Sequence, residues 1–250
     1  MRSKTVPTPI THRAGILCRH LALPLLVVFC LCGLFLCACG EVGTEYAQRG
    51  EFIKILQRNV LAKRGIRFPM LNEEEKSAIG PYTRHYALLN SLSDDKELLM
   101  SLKDLPSLQR DLMTSSDPIE KKQLILKAEG NLLDIKEKLI TAYKKTRDAK
   151  ATLSQPQDLK SVYDEAFLKV VHAPTDMLVE IIEKSLDASG SAMALNDYIL
   201  EHPDAAEYRG SSVLIRNPEA ELYVRSLLED YREKSERALQ TLRELNSLTW

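Results

Sequence analysis

The residues with the clearest chemical capacity are the five cysteines, all within the first 39 of 250 positions: Cys18, Cys30, Cys32, Cys37 and Cys39. Their neighbours separate them. A bacterial lipid-attachment site needs an aliphatic residue at −3 and a small residue at −1, directly before the acylated cysteine. Only Cys39 has this surrounding, with Leu36 and Ala38 in those places. Ordinary signal peptidase favours a small residue at −3, which Leu36 is not. The expected chemistry is therefore cleavage between Ala38 and Cys39, a diacylglycerol on the Cys39 thiol and a third acyl chain on the freed amine. Single acyl chains hold proteins only marginally. Two or more give stable attachment, at about 0.8 kcal/mol per buried CH₂.

The segment before Cys39 is built to deliver it. Arg2, Lys4, Arg13 and Arg19 precede an uncharged run over 21–36, and no acid occurs before Glu41. A basic region, an apolar stretch and a small-residue cleavage site make a secretory signal peptide. The run stands at the short edge of what spans a bilayer, so an uncleaved anchor is the competing reading. Gly40 follows the cysteine where inner-membrane retention would require Asp. The expected destination is thus the inner leaflet of the outer membrane, facing the periplasm.

Other reactive side chains form no comparable pattern. His85, His172 and His202 lie far apart, with no second ligand at i+3 or i+4 of the H-x-x-x-H or H-E-x-x-H kind, so no metal is expected. Beyond Cys39 the chain has no cysteine, which excludes thiolate zinc sites and disulfides. Glu73, Glu74, Glu75 and the pair Asp94–Asp95 suit helix N-termini, where acids meet the positive end of the dipole. No G-x-S-x-G occurs, Gly190–Ser191 falls within a helical seam, and neither dinucleotide nor phosphate-loop motifs are present. No catalytic residue and no cofactor is assigned.

Charge bounds the partners. The signal holds four of the 34 Lys and Arg and none of the 35 Asp and Glu, leaving 30 basic against 35 acidic residues, a formal net charge of −5. Nucleic-acid binding would require a clustered basic excess. Lys144, Lys145, Arg147 and Lys150 are the local exception. They read as a solvated helix face, with anionic envelope glycans or phospholipid heads as the sharper alternative.

The elements that position these residues are helical. We expect a signal over 1–38, a lipidated tether over 39–46 and one helical domain over 47–250. Phe52, Ile53, Leu56 and Val60 share a helix face. Residues 66–71 read as an extended connector pinned by Pro69. Asn72 and Glu75 form a capping box. Gly80–Pro81 breaks or kinks the helix it opens, a second helix follows over 82–103, and a short helical piece over 105–113. Asp117–Pro118 opens a long helix over 118–153, whose seam Ile125, Ala128, Leu132, Ile135, Leu139, Ala142 and Thr146 alternates steps of three and four. A stripe from Leu159 to Val171 follows, and Pro174 restarts a helix, leaving His172 at a helix end. Small residues there, including Gly190, would let a neighbour approach. A short β-hairpin is expected near 207–215, and Asn217–Pro218 caps the last helix. The fold class is all-α, an elongated antiparallel helical bundle.

Three blocks carry a family resemblance. They are Phe52-Ile53-Lys54-Ile55-Leu56-Gln57, Gly65-Ile66-Arg67-Phe68-Pro69-Met70-Leu71 with Gly80-Pro81-Tyr82, and Asp158-Leu159-Lys160-Ser161-Val162-Tyr163 followed by His172-Ala173-Pro174. In this order they resemble YiaF-type lipoproteins, a Gram-negative family of unknown function. The resemblance implies a lipidated helical protein and brings no activity. The expected role is non-enzymatic: an outer-membrane lipoprotein held to membrane lipid through Cys39 that binds an envelope protein or supports the envelope. A carrier of lipid or a small apolar ligand is the alternative, and a periplasmic hydrolase the second. The candidate interaction patch is Ile66, Phe68 and Met70, in a connector whose apolar residues otherwise staple two helices together.

Overall fold

The chain divides into two units, Met1–Gly50 and Glu51–Trp250, and a computed structural model describes residues 43–66, 68–103, 115–210 and 212–249. The signal segment, Cys39 and the helical piece expected over 105–113 lie outside the described residues. In the first unit residues 43–50 are helical, so helix already occupies part of the stretch assigned to the tether.

The second unit opens with α1 (51–61), whose last six residues, Leu56–Leu61, form a π-helix with Ala62 N–H donating to the Gln57 carbonyl. The connector then leads to α2 (Glu73–Ile79). Its capping box is complete: Asn72 Oδ1 accepts the Glu75 N–H at 2.8 Å and Glu75 Oε2 accepts the Asn72 N–H at 3.1 Å. Gly80 ends the helix at φ 51°, a backbone region that suits glycine, and a 3₁₀ turn over Gly80–Tyr82 leads into α3 (Thr83–Asn90).

The single helix expected over 82–103 is two. Ser91 Oγ turns back to the Leu88 carbonyl at 2.9 Å, and Asp95 Oδ1 accepts the Leu98 N–H at 3.0 Å, capping α4 (Lys96–Lys103). The run Ser91-Leu92-Ser93-Asp94-Asp95 supplies side-chain groups that compete with the helical backbone, and here they win.

Helix α5 (Pro118–Ala151) starts where its caps require. Asp117 Oδ1 accepts the Ile119 N–H at 2.9 Å, Pro118 is at N1, and Glu120 accepts from Ser115 Oγ at 2.7 Å. Its buried positions are Lys121 together with the expected seam of Ile125, Ala128, Leu132, Ile135, Leu139 and Thr146. Then α6 (Gln157–Phe167) passes through a π-helix, Leu168–His172, into α7 (Ala173–Glu201). Pro174 therefore does not restart a broken helix, and His172 is not at a helix end. The wider turn accommodates the proline, with Ala173 N–H reaching the Leu168 carbonyl and Thr175 Oγ1 taking the Val171 carbonyl at 2.7 Å.

The remainder is a hairpin and a last helix. Strands β1 (Ala206–Arg209) and β2 (Ser212–Ile215) pair antiparallel, Ala206 opposite Ile215 and Arg209 opposite Ser212, with Gly210 at φ 61° in the turn. Asn217 Oδ1 accepts the Glu219 N–H at 2.9 Å, and a 3₁₀ turn over Pro218–Ala220 opens α8 (Glu221–Thr249).

Cross-helix pairs fix the directions. Lys122–Asp197 and Lys136–Glu183 run α5 against α7, while Lys184–Thr241 and Ser191–Asp230 run α7 against α8. Both pairings are antiparallel. The tight packing of α7 uses buried Ala188, Ser189, Ser191 and Ala192, whereas Gly190 is exposed with open space beyond it. Among the described residues the core is divided among four clusters. The largest joins α1, the connector, α2, α3 and α6 around Phe52, Tyr82, Leu89 and Tyr163. Two more sit between α5 and α7, and the last closes the hairpin against α7 and α8 through Leu195, Ala206 and Val224. Among the described residues no helix is long and apolar enough to cross a membrane. The chain is all-α with one short hairpin.

Candidate functional site

The connector carries the patch expected from sequence, and its three residues have different surroundings. Phe68 is half-buried, its ring 4.3 Å from that of Tyr86, and the Tyr86 hydroxyl donates to the Pro69 carbonyl at 2.6 Å. Burial, and to a lesser extent the Glu75 charge, raise the Tyr86 hydroxyl far above the usual phenol range, so it stays a donor. Ile66 donates its N–H to the Leu248 carbonyl at 2.8 Å, which ties the connector to the end of α8. Met70 is 82% exposed. Two members of the patch are thus held by the fold, and Met70 projects from it.

Beneath the connector lies an aromatic group with a histidine in it. Phe52 stacks on Tyr82 with centroids 5.3 Å apart, and His85 meets the rings of Tyr82 at 5.2 Å and Tyr163 at 6.0 Å edge-on. Gln155 Nε2 lies 3.4 Å from His85 Nδ1, and the Tyr163 hydroxyl donates to the His85 carbonyl at 2.8 Å. Burial lowers the imidazole below its ordinary value, so the neutral ring is favoured. Next to this group the two π-helices meet. The Lys169 ammonium donates to the carbonyls of Val60 at 2.9 Å and Leu61 at 3.1 Å, and also to that of Lys63. These are carbonyls left without intrahelical partners where α1 ends.

The other two described histidines stand in separate places. His172 Nδ1 is 3.3 Å from the Tyr143 hydroxyl and 3.4 Å from Asp176, and His202 stacks on Tyr198. Ser191 is buried between α7 and α8, where its hydroxyl donates to Asp230 at 2.5 Å and accepts from Lys234 at 2.8 Å. Hydrogen bonds from Ser191 and then Lys234 hold the Asp230 carboxyl below the usual carboxylate range. An ionised acid leaves the hydroxyl proton engaged, and this arrangement is a polar staple between helices. Of the basic cluster, Lys150 lies 2.7 Å from Asp164 and over the Phe167 ring, Arg147 lies 3.3 Å from Asp148, and Lys144 is exposed.

Among the described residues, two hollows lie near these groups. A shallow groove of about 430 Å³ between α4 and α5 is lined by Asp95, Glu97, Asp134 and Glu137 with Lys138 and Lys145, and Leu98 and Ala142 contribute its apolar part. Lys138 bridges it, 3.3 Å from Glu97 and 2.9 Å from Asp134. A cavity of about 50 Å³ lies between α5, α7, α8 and the hairpin. Lys121, 5% exposed, reaches into it with its amine 4.2 Å from the Tyr208 ring centre, and burial lowers that amine. Sequence reading passed over Lys121 because an apolar seam predicts buried positions, not which lysine folds in beside them. It missed the groove because the groove exists only where α4 meets α5. Among the described residues no group of three or more His, Cys, Asp or Glu is placed to hold a metal ion.

Residues 23–246 match the family model described as "Protein of unknown function (DUF3053)". The chain belongs to this family. The match takes in most of the apolar run, Cys39 and nearly the whole helical domain. Curated relatives agree: "Uncharacterized protein YiaF" of Escherichia coli K12 is 30% identical over 185 residues, 71% of this chain and 72% of the relative. The proteins of that name from Escherichia coli O157:H7 and Shigella flexneri match to the same extent. No solved structure matches the chain. DUF3053 membership assigns no activity to any of the groups above.

Proposed function

We propose that this DUF3053 protein is a non-enzymatic lipoprotein of the outer membrane, held through acylated Cys39 and facing the periplasm, where it binds another component of the envelope. The observation that carries the reading is Leu36-Cys37-Ala38-Cys39 at the end of the 21–36 apolar run. Ala38 at −1 and Leu36 at −3 single out one cysteine of five, and Gly40 after it directs the protein outward. The helical domain supports a binding role through what it exposes. Met70 stands free on a connector whose neighbours Phe68 and Leu71 hold it in place, so a partner would meet a preformed surface.

The carrier reading has less behind it. Ligand pockets commonly enclose about 300–1,000 Å³ and are mostly apolar. The apolar cavity beside Lys121 is about 50 Å³, and the larger groove is lined by carboxylates. A hydrolase reading would rest on Ser191, whose hydroxyl is engaged by Asp230 and Lys234.

Metabolic labelling with palmitate tests the anchor. The wild-type chain should take up label and sediment with outer membranes, and Cys39→Ala should lose the label and retain the precursor mass. Label persisting in Cys39→Ala would refute the anchor. For binding, a photoreactive residue at position 70 should give a discrete protein adduct in intact cells, and adducts to lipid alone would favour the carrier.

A further inference from the structure

Helix α5 carries a second apolar stripe outside the buried seam. Ile119, Leu126, Leu133 and Ile140 are 62, 53, 55 and 46% exposed and recur every seven residues. Seven residues fall about 20° short of two full turns, so the four side chains stay on one face for three repeats. Large apolar residues on solvated faces occur singly without meaning, but a continuous row marks an interaction surface.

The centre of the row holds a second, independent peculiarity. Gly130 lies four residues after Leu126 and three before Leu133, on the same side of the helix. It is exposed, and a Cβ built on it meets nothing within 4 Å. Glycine weakens a helix interior relative to alanine, and among the described residues no packing, turn or positive φ requires it. A glycine that its own fold does not need suits a backbone approaching from outside.

We infer that this face of α5 is the interface of a homodimer in which two α5 helices cross antiparallel at Gly130. The row is nearly a palindrome. Reflected about the midpoint of 129 and 130, position 119 falls on 140 and position 126 on 133. A two-fold interface demands that self-complementarity, since residue i must meet j and j must meet i. The antiparallel axis also sets the two copies of Gly130 opposite each other on one side, where the helices come closest. Lys127 then faces Asp134 of the second copy, twice over. On the other side Glu129 meets its own copy, so the pairing tilts toward the glycines and works against that repulsion.

The test is sedimentation equilibrium of the purified full chain in density-matched detergent, with thermal melts alongside. Wild type should show a concentration-dependent dimer. Leu126→Lys with Leu133→Lys should be monomeric, and should melt as wild type does at concentrations low enough to keep wild type monomeric, because both side chains are exposed in the single chain. Gly130→Ala should weaken the dimer at least tenfold while raising the monomer's melting temperature, and Glu129→Gln should tighten it. A photoreactive residue at position 126 should form adducts with α5 of a second copy. A wild-type chain that stays monomeric at all concentrations would overturn the inference. So would a dimer indifferent to Gly130→Ala and the double lysine variant, or adducts at 126 confined to lipid, another protein or the same chain.

Discussion

Phe68 and Met70 are two residues apart in an extended connector, where side chains separated by two project to the same side only if the strand is straight. Here the Tyr86 hydroxyl holds the Pro69 carbonyl, Phe68 packs on the Tyr86 ring and Met70 faces solvent. Phe68→Ala should therefore cost about 1–2 kcal/mol in urea unfolding, less than the 3–5 of a fully buried phenylalanine. Met70→Ser should stay within about 0.5 kcal/mol. Equal effects would mean the connector is not a staple. His85 makes a pH prediction. Its folded value is lowered from 6.5 by burial, so the unfolded chain takes up the proton at a pH where the folded chain still resists it. Stability should then rise with pH through the window just below 6.5 and be lost as pH falls through it. Urea midpoints at pH 7.5 and 5.5 measure this. His85→Leu should shrink the difference, and an unchanged difference would assign it to other groups.

At the scale of elements, the two π-helices depart from ideal geometry for reasons that can be named. Pro174 lacks an N–H, and the turn over Leu168–His172 redistributes the carbonyls around it. That turn also aims Lys169 at the end of α1, where three carbonyls receive its ammonium. Neither segment could close its backbone hydrogen bonds as well alone. Lys169→Met keeps the aliphatic stem and removes the donor, and should destabilise by about 2 kcal/mol, the scale of hydrogen bonds to a charged group. The loss should appear in unfolding monitored at the α1 end, for example as faster amide exchange over 56–62. No change there would make the contact incidental. The break between α3 and α4 has a similar logic. Leucines 89, 92 and 98 continue a helical period across it, which is why sequence reading joined them. The local side-chain bonds of Ser91 and Asp95 break the period, and Ser91 Oγ also lies 2.8 Å from Thr146 Oγ1 of α5.

Across the helical domain, α7 is the element that others share. It packs antiparallel on α5 along one side and on α8 along the other, and its far end is closed by the hairpin. Local opening is costly where an element is buried on several sides. Amide exchange should therefore be slowest in the middle of α7, around 181–196, and faster in α2 and the ends of α8. Equal protection in α5 and α7 would point to a uniform cooperative unit instead. The polar staples on α7, Ser191 with Asp230 and Lys184 with Thr241, fix its rotation between neighbours more than they add stability.

Local chemistry made much of this molecule legible beforehand. Asn72 with Glu75, Asp117 with Pro118, and Asn217 with Pro218 begin helices because each meets unpaired N–H groups within its own turn. The seam of α5 and the hairpin around Gly210 follow from period and turn geometry in the same way. What depends on partners distant in the chain had to wait for the tertiary structure: the unbroken passage through Pro174, the burial of Lys121, and the separate fates of Phe68 and Met70. The exposed row on α5 belongs to both. Its seven-residue spacing stands in the sequence, but periodicity names two faces of a helix alike, and only packing decides which one is left open.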